Sequence, residues 1–135
     1  MTVLVIPGPP VPCGRPRLSL DGHAYMPDRT RKYERSVRHF AKAAFPSPIE
    51  GPVRLTAVFY CHNRQRRDVD NLLKSIMDGI NGIAFADDSQ VVSQSALKLV
   101  DKNFPRAVVD VSPVQYSLDY LESEIIWNLL SCSDV

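Results

Sequence analysis

Two aspartates spaced i, i+2, Asp68 and Asp70, open the stretch RRDVDNLLKSIMDGI, with Arg66 and Arg67 before them and Lys74 one helical turn after Asp70. On an extended chain, side chains at i and i+2 point the same way, so these carboxylates would converge on one ion if the segment is extended. Hard divalent cations take oxygen ligands, and Mg2+ binds through one or two carboxylates together with water and substrate phosphate. A second acidic pair, Asp87 and Asp88, follows the next helix. A helix of about 12 residues spans roughly 18 Å, so the two pairs meet only if residues 82–89 lead the chain back. Lys74 has the reach to pair with Asp70, orient a nucleophilic water or stabilise charge on a phosphate. A purely structural reading competes with this one: Asp70 as helix N-cap, Asp68 as ion-pair partner of Arg66 or Arg67. Asp78 reads as a solvated charge on the polar side of its helix.

Other chemistries find no pattern. His23, His39 and His62 show no H-E-x-x-H and no paired Cys/His spacing for zinc. Cys61 and His62 are adjacent, so in a strand they face opposite ways and Cys61 reads as core. There is no G-x-S-x-G, no phosphate-binding glycine loop and no dinucleotide fingerprint. Cys13, Cys61 and Cys132 form no C-x-x-C, which suits a reducing cytosol rather than a disulfide framework. No N-terminal run has the length and flanking charge of a secretory signal, and no apolar stretch approaches the roughly 20 residues of a membrane span.

The elements that must position the carboxylates follow from periodicity. At 135 residues the chain fits a single domain with its own core. Thr2–Gly8 reads as a strand closed by Pro-Gly, followed by a Pro-rich loop or irregular hairpin that carries Arg15 and Arg17. Asp28–Phe45 reads as a helix capped by Asp28 or Thr30, burying Tyr33, Val37, Phe40, Ala41 and Ala44. Val53–His62 alternates as a strand, with Val53, Leu55, Ala57, Phe59 and Cys61 on its buried face. A helix from Asn71 follows, with Leu72, Leu73, Ile76, Met77 and Ile80 as its apolar stripe and Asn81-Gly82 as its end. Val91–Asp101 and Arg106–Val114 read as strands joined in a hairpin by KNFP. Tyr116–Ser131 reads as a C-terminal helix with Leu118, Leu121, Ile125 and Leu129 on one stripe. The order β-α-β-α-β-β-α gives an α+β fold, a mixed sheet flanked by helices, in one domain over residues 1–135 with 115–135 as a helical extension.

The net charge of +1 conceals a gradient. Residues 1–74 carry 13 Lys/Arg against 6 Asp/Glu; residues 75–135 carry 3 against 9. Such polarity is expected when one face meets a polyanion. The footprint would include Arg15, Arg17, Arg29, Arg31, Lys32, Arg35, Arg38, Arg64, Arg66 and Arg67. Contacts of that kind go mostly to phosphate and read little sequence.

The stretch RRDVDNLLKSIMDGINGIAFADDSQV resembles the RusA family of Holliday junction resolvases. Arg-Arg-Asp-x-Asp-Asn-Leu-x-Lys, an intervening helix and Asp-Asp-x-Gln-Val match in one order, and a looser likeness extends over residues 1–113. The resemblance implies a homodimeric endonuclease that uses Mg2+, with Mn2+ able to substitute, and nicks two strands symmetrically across four-way junction DNA. By position, Asp68, Asp70 and Asp88 match its metal-binding carboxylates and Lys74 its essential lysine; Asp88 is favoured in the second pair, with Asp87 as the alternative. It implies a cytoplasmic, nucleoid-associated protein with no membrane contact, acting in recombination and repair. A C2 dimer would set one site on each of two symmetry-related strands, and Ile126, Trp127 and Leu130 are candidate contacts. A general fork or flap nuclease and a non-catalytic DNA-binding module are the competing expectations.

Overall fold

The computed structural model describes residues 2–114. The helix expected over residues 116–131, with Ile126, Trp127 and Leu130, lies outside them. Within them the chain runs β1 (Thr2–Pro7), β2 (Arg17–Leu18), β3 (Ala24–Tyr25), α1 (Asp28–Ala44), β4 (Val53–Cys61), α2 (Val69–Ile80), a 3-10 turn (Asp88–Gln90), β5 (Val91–Val100) and β6 (Arg106–Pro113). This is the expected α+β order, and β2–β3 are the irregular hairpin of the Pro-rich segment. No helix among the described residues is long and apolar enough to cross a membrane.

The main sheet has the order β1-β6-β4-β5. β4 is parallel to β5 and antiparallel to β6, which is antiparallel to β1. β5 and β6 therefore do not form the expected hairpin. The Asp101 amide donates to the Cys61 carbonyl at 2.8 Å, so the KNFP connection crosses the end of β4 and lays β6 on its other side. The cause is burial. Ala107, Val109 and Val111 of β6 are fully buried and need a neighbour on each side. β5, with Ser93, Gln94, Ser95 and Lys98, is polar enough to form an edge.

β4 buries Val53, Leu55, Ala57, Phe59 and Cys61 and turns its alternate residues away, as its pattern predicts. Both helices pack on that buried face. α1 contributes Tyr33, Val37 and Ala41; α2 contributes Leu72, Leu73, Ile76 and Ile80. The α1 cap differs from expectation. Pro27 occupies the N-cap position without a side-chain bond, while the buried Thr30 hydroxyl accepts from the Gly14 amide at 3.0 Å. Thr30 thus fastens the Pro-rich loop instead of capping the helix. α2 ends as expected, at Asn81 followed by Gly82 with φ +81°.

Gly79 sets the spacing of the two helices. A Cβ there would lie 2.5 Å from Val37 Cγ1 and 2.7 Å from Val37 Cβ. Val37 is fully buried and stiff at χ1, so it has nowhere to yield. Gly79→Ala is expected to destabilise the fold by about 1–3 kcal/mol despite the better helix propensity of alanine. Urea denaturation of Gly79→Ala, alone and with Val37→Ala, checks this: the pair should cost less than the separate effects added together.

Candidate active site

The apolar stripe of α2 faces the core, which obliges its polar positions to face outward. Asp70, Lys74 and Asp78 recur at i, i+4, i+8 and line one wall of a cleft of about 260 Å3 with Leu73 and Met77. Asp88, from the 3-10 turn, and Gln94, from β5, form the facing wall. A second cleft of about 340 Å3 continues from it past Met77, Asp88, Gln94 and Val91–Ser93. The returning segment required by the sequence thus exists: residues 81–90 bring Asp88 back beside the helix that Asp70 begins. Gln94 was not among the expected site residues; its place opposite Lys74 depends on β5 pairing with β4, which no local pattern reveals.

The i, i+2 argument for Asp68 and Asp70 does not hold as framed. Only Asp68 is extended, with φ −80° and ψ 131° at the N-cap position; Asp70 is already inside α2. The capping alternative fares no better. No side chain caps α2, and the Asp70 carboxylate accepts only from the amide of Asn71, at 3.0 Å. Asp68 is 3.9 Å from Arg66, with both side chains well exposed. Such a pair contributes little. Among the described residues neither Asp70, Asp88 nor Lys74 forms an ion pair. These groups stand at the N-terminal half of a helix and across from it, unspent on structure.

Asp87 and Asp88, adjacent in sequence, have different employment. Asp87 accepts from the Ser89 amide and hydroxyl, and these bonds hold its carboxyl below the usual carboxylate range. It closes a capping box with Gln90. The Gln90 side chain accepts from the amides of Ala86 and Asp87 at 2.9 and 3.1 Å and donates to the carbonyls of Ile49 and Gly51 at 2.9 and 2.8 Å. Asp88 is left facing the cleft.

The entry to α2 is built by Arg67. It is buried, and its Nη1 donates to the Asn63 side chain at 2.9 Å, the Asn63 carbonyl at 3.4 Å and the Gln65 carbonyl at 3.1 Å. Lys98 Nζ donates to the Arg67 carbonyl at 2.6 Å. Arg67 therefore sits apart from the other basic residues of the expected footprint. Arg15, Arg17, Arg29, Arg31, Lys32, Arg35, Arg38, Arg64 and Arg66 are all exposed. Arg15 and Arg17 are carried by a loop that is pinned to α2: the Cys13 amide donates to the Asn71 carbonyl at 2.9 Å and the Ser75 hydroxyl to the Val11 carbonyl at 2.7 Å.

Asp78 stays on the polar side of α2 and lines the open cleft, as expected of a solvated charge. One donor atom each of Cys13, Glu34 and Asp78 lie within 4.8 Å of one another, the one such trio among the described residues. Asp68, Asp70 and Asp88 do not come that close together. Burial, then the Asp78 charge, push the Glu34 carboxyl above its ordinary range. Burial pushes the Cys13 thiol up as well, against the opposing pull of Lys74. The acidic wall is thus longer than the motif, running from Asp70 to Glu34 beneath the α1 arginines, with Arg38 Nη2 donating to the Asp78 carbonyl at 3.4 Å.

The donors around the main cleft are carboxylate and amide oxygens, the set a hard divalent cation prefers over a soft one. An α+β domain with a helix-borne Asp/Lys pair facing a second Asp across an open groove has the composition of a phosphodiester-cleaving site. A family model described as Endodeoxyribonuclease RusA matches residues 7–112. The crossover junction endodeoxyribonuclease RusA of Shigella sonnei (strain Ss046) is 31% identical over 87 residues, covering 64% of this chain and 67% of that protein. Its namesakes in Enterobacteria phage 82 and Escherichia coli (strain K12) are 31% and 30% identical over the same coverage. The chain belongs to the RusA family of endodeoxyribonucleases.

Two outcomes are expected. Gln90→Ala removes four hydrogen bonds that hold the turn before Asp88; at about 0.5–1.5 kcal/mol per bond it should lower stability measurably in thermal unfolding. For Glu34 the folded pKa is raised, so its contribution favours the fold below the unfolded pKa and is lost as pH rises through the folded one. Glu34→Gln should therefore stabilise the protein at pH 8 relative to the parent and lose that advantage by pH 4, as read by urea denaturation at both.

Proposed function

We propose that this protein resolves four-way DNA junctions in recombination and repair, cutting two symmetry-related strands as a homodimer with Mg2+, or Mn2+ in its place. The observation that carries the reading is the cleft in which Asp70 and Lys74 face Asp88, in a chain of the RusA family. Relatives named crossover junction endodeoxyribonuclease support the substrate. The DNA is nucleoid DNA, so the proposed place of action is the cytoplasm.

Asp70 and Asp88, with Asp68 at the helix entry, are the residues that would hold the metal; when bound, it supplies Lewis-acid polarisation of the phosphate and a more acidic water. Lys74 adds a positive charge toward the scissile phosphate as its charge grows. Asp87 serves the turn and not the metal. The N-terminus of α2 favours anionic groups near Asp68 and Asp70 and so lowers the cost of gathering carboxylates there. Carboxylates repel DNA, and the exposed arginines of α1, with Arg64 and Arg66, offset this by contacting phosphate on either side. Arg67 contributes by shaping the loop that carries Arg64 and Arg66.

The test uses a four-way junction, a Y-fork and a linear duplex of matched sequence, with Mg2+ or EDTA, mapping nicks on every strand. Paired symmetric nicks confined to the junction are expected; equal cutting of the fork would favour a broader branched-DNA nuclease. Asp70→Asn, Asp88→Asn and Lys74→Ala should each lower cleavage by at least about 100-fold, as removal of a group acting in the transition state does, with junction binding kept. Asp87→Asn should retain most cleavage. Replacing Arg31, Arg35 and Arg38 with alanine should weaken binding to all three DNAs. It should also flatten the slope of log affinity against log salt by about 0.9 for each phosphate that is no longer neutralised.

A further inference from the structure

β4 and β5 run parallel, and a crevice of about 270 Å3 lies at their C-terminal ends. In open sheets the space outside the carboxyl ends of parallel strands is the usual seat of a ligand. The floor here is apolar, made by Cys61, Leu99 and Val100. The rest of the lining comes from Arg64 and Lys98, with Asn63 and Gln65. No acidic side chain lines it, the reverse of the cleft along α2, where Asp70, Asp78 and Asp88 do. The loop after β4 is set so that donors are left over. Arg67 Nη1 and the Gln65 amide both donate to Asn63 Oδ1, at 2.9 and 3.1 Å. The carboxamide oxygen is thereby engaged, and Nδ2 is left without an acceptor among the described residues. Lys98 Nζ uses one of its three donors on the Arg67 carbonyl at 2.6 Å. Among the described residues neither Arg64, Arg67 nor Lys98 forms an ion pair. Arg67 is 6% exposed, and only neutral oxygens meet its guanidinium. A buried charge held this way favours an anion nearby.

We infer that this crevice is a second DNA subsite, in which Lys98, Arg64 and the Asn63 carboxamide hold one backbone phosphate, apart from the scissile phosphate in the α2 cleft. The inference rests on the proposed junction-cutting function and adds to it a residue, Lys98, that the basic footprint does not contain. The chemistry of the lining selects the ligand. A phosphodiester offers oxygens that only accept, and the crevice offers two cations and an amide that only donate. With no carboxylate in the lining, a metal cation has no anionic ligand there. The apolar floor beside the donors suits the deoxyribose that comes with a backbone phosphate and not with a free one. Place in the chain gives the subsite its use. Asp68 follows Arg67 directly, and Lys98 holds the Arg67 carbonyl. A strand seated on Lys98 is therefore registered against the first of the motif carboxylates. Phosphate contacts fix register and orientation without reading sequence.

The test is binding of the full-length protein to a four-way junction in EDTA, so that nothing is cut, across a range of salt. A parallel set of junctions carries a single neutral methylphosphonate at successive positions around the crossover. Lys98→Gln removes the charge and keeps a donor for the Arg67 carbonyl. Arg64→Gln changes an exposed side chain and leaves the loop intact should Lys98→Gln disturb it. Each variant should bind several-fold more weakly and flatten the slope of log affinity against log salt by about 0.9, the share of one phosphate. In the parent, neutralising the phosphate held in the crevice should weaken binding. In Lys98→Gln that same methylphosphonate should cost nothing further, while the positions felt by Arg31, Arg35 and Arg38 keep their effect. A loosened loop would weaken binding without silencing one position. The inference is overturned if Lys98→Gln and Arg64→Gln keep the parental slope and methylphosphonate pattern while alanine at Arg31, Arg35 and Arg38 flattens the slope; the DNA face then stands without the crevice. If the triple alanine variant keeps the parental slope as well, the proposed DNA face fails and the crevice with it.

Discussion

The division of α2 into an apolar and a polar side is the constraint on which the site rests. Leu72, Leu73, Ile76 and Ile80 have one place to go, against β4 and α1, and the close approach at Gly79 leaves no slack in how deeply they settle. Once they are seated, the bearing of Asp70 and Lys74 is decided with no ion pair to either of them. This lets the chain keep its charged groups free. Had Asp70 been recruited as a cap or Lys74 as its partner, the same residues would hold the helix and no longer be free in the cleft.

The second wall is held differently. The segment before Asp88 is seated by Ala84 and Phe85, fully buried in the core, and the turn itself is closed by polar bonds from Gln90 to four backbone groups on two segments. One wall is therefore set by packing alone, and the other by packing upstream of a hydrogen-bonded turn. Packing resists displacement in proportion to buried volume, whereas hydrogen bonds exchange with water at modest net cost. The turn that carries Asp88 is the more compliant of the two, since its last bonds are polar and near the surface.

Much of the geometry was legible in the sequence. The alternation in β4, the stripe of α2 and its Asn-Gly stop all appear where periodicity puts them, because those signals report which side of an element is buried. Three things were not legible, each for a physical reason. Periodicity does not name a strand's neighbour, so β6 read as the hairpin partner of β5 when its fully buried alanine and valines required the middle of the sheet. Charge does not give depth, so Arg67 read like the exposed arginines around it while its guanidinium holds a loop together. The gathering of Glu34 and Cys13 at Asp78 comes from three separate segments and leaves no spacing to find. The choice between Asp87 and Asp88 lay between these cases: the motif narrowed it to two residues, and the capping box shows which of them faces the cleft.

The sheet order has a temporal side. β1 and β4 touch only through β6, the last of the described strands to be made. Until residues 106–113 have left the ribosome, the sheet lacks its middle and α2 has half a floor. Domains generally fold as units once their sequence is complete. The cleft is therefore assembled late, and a nascent chain that already displays every arginine of the basic surface does not yet have a settled blade.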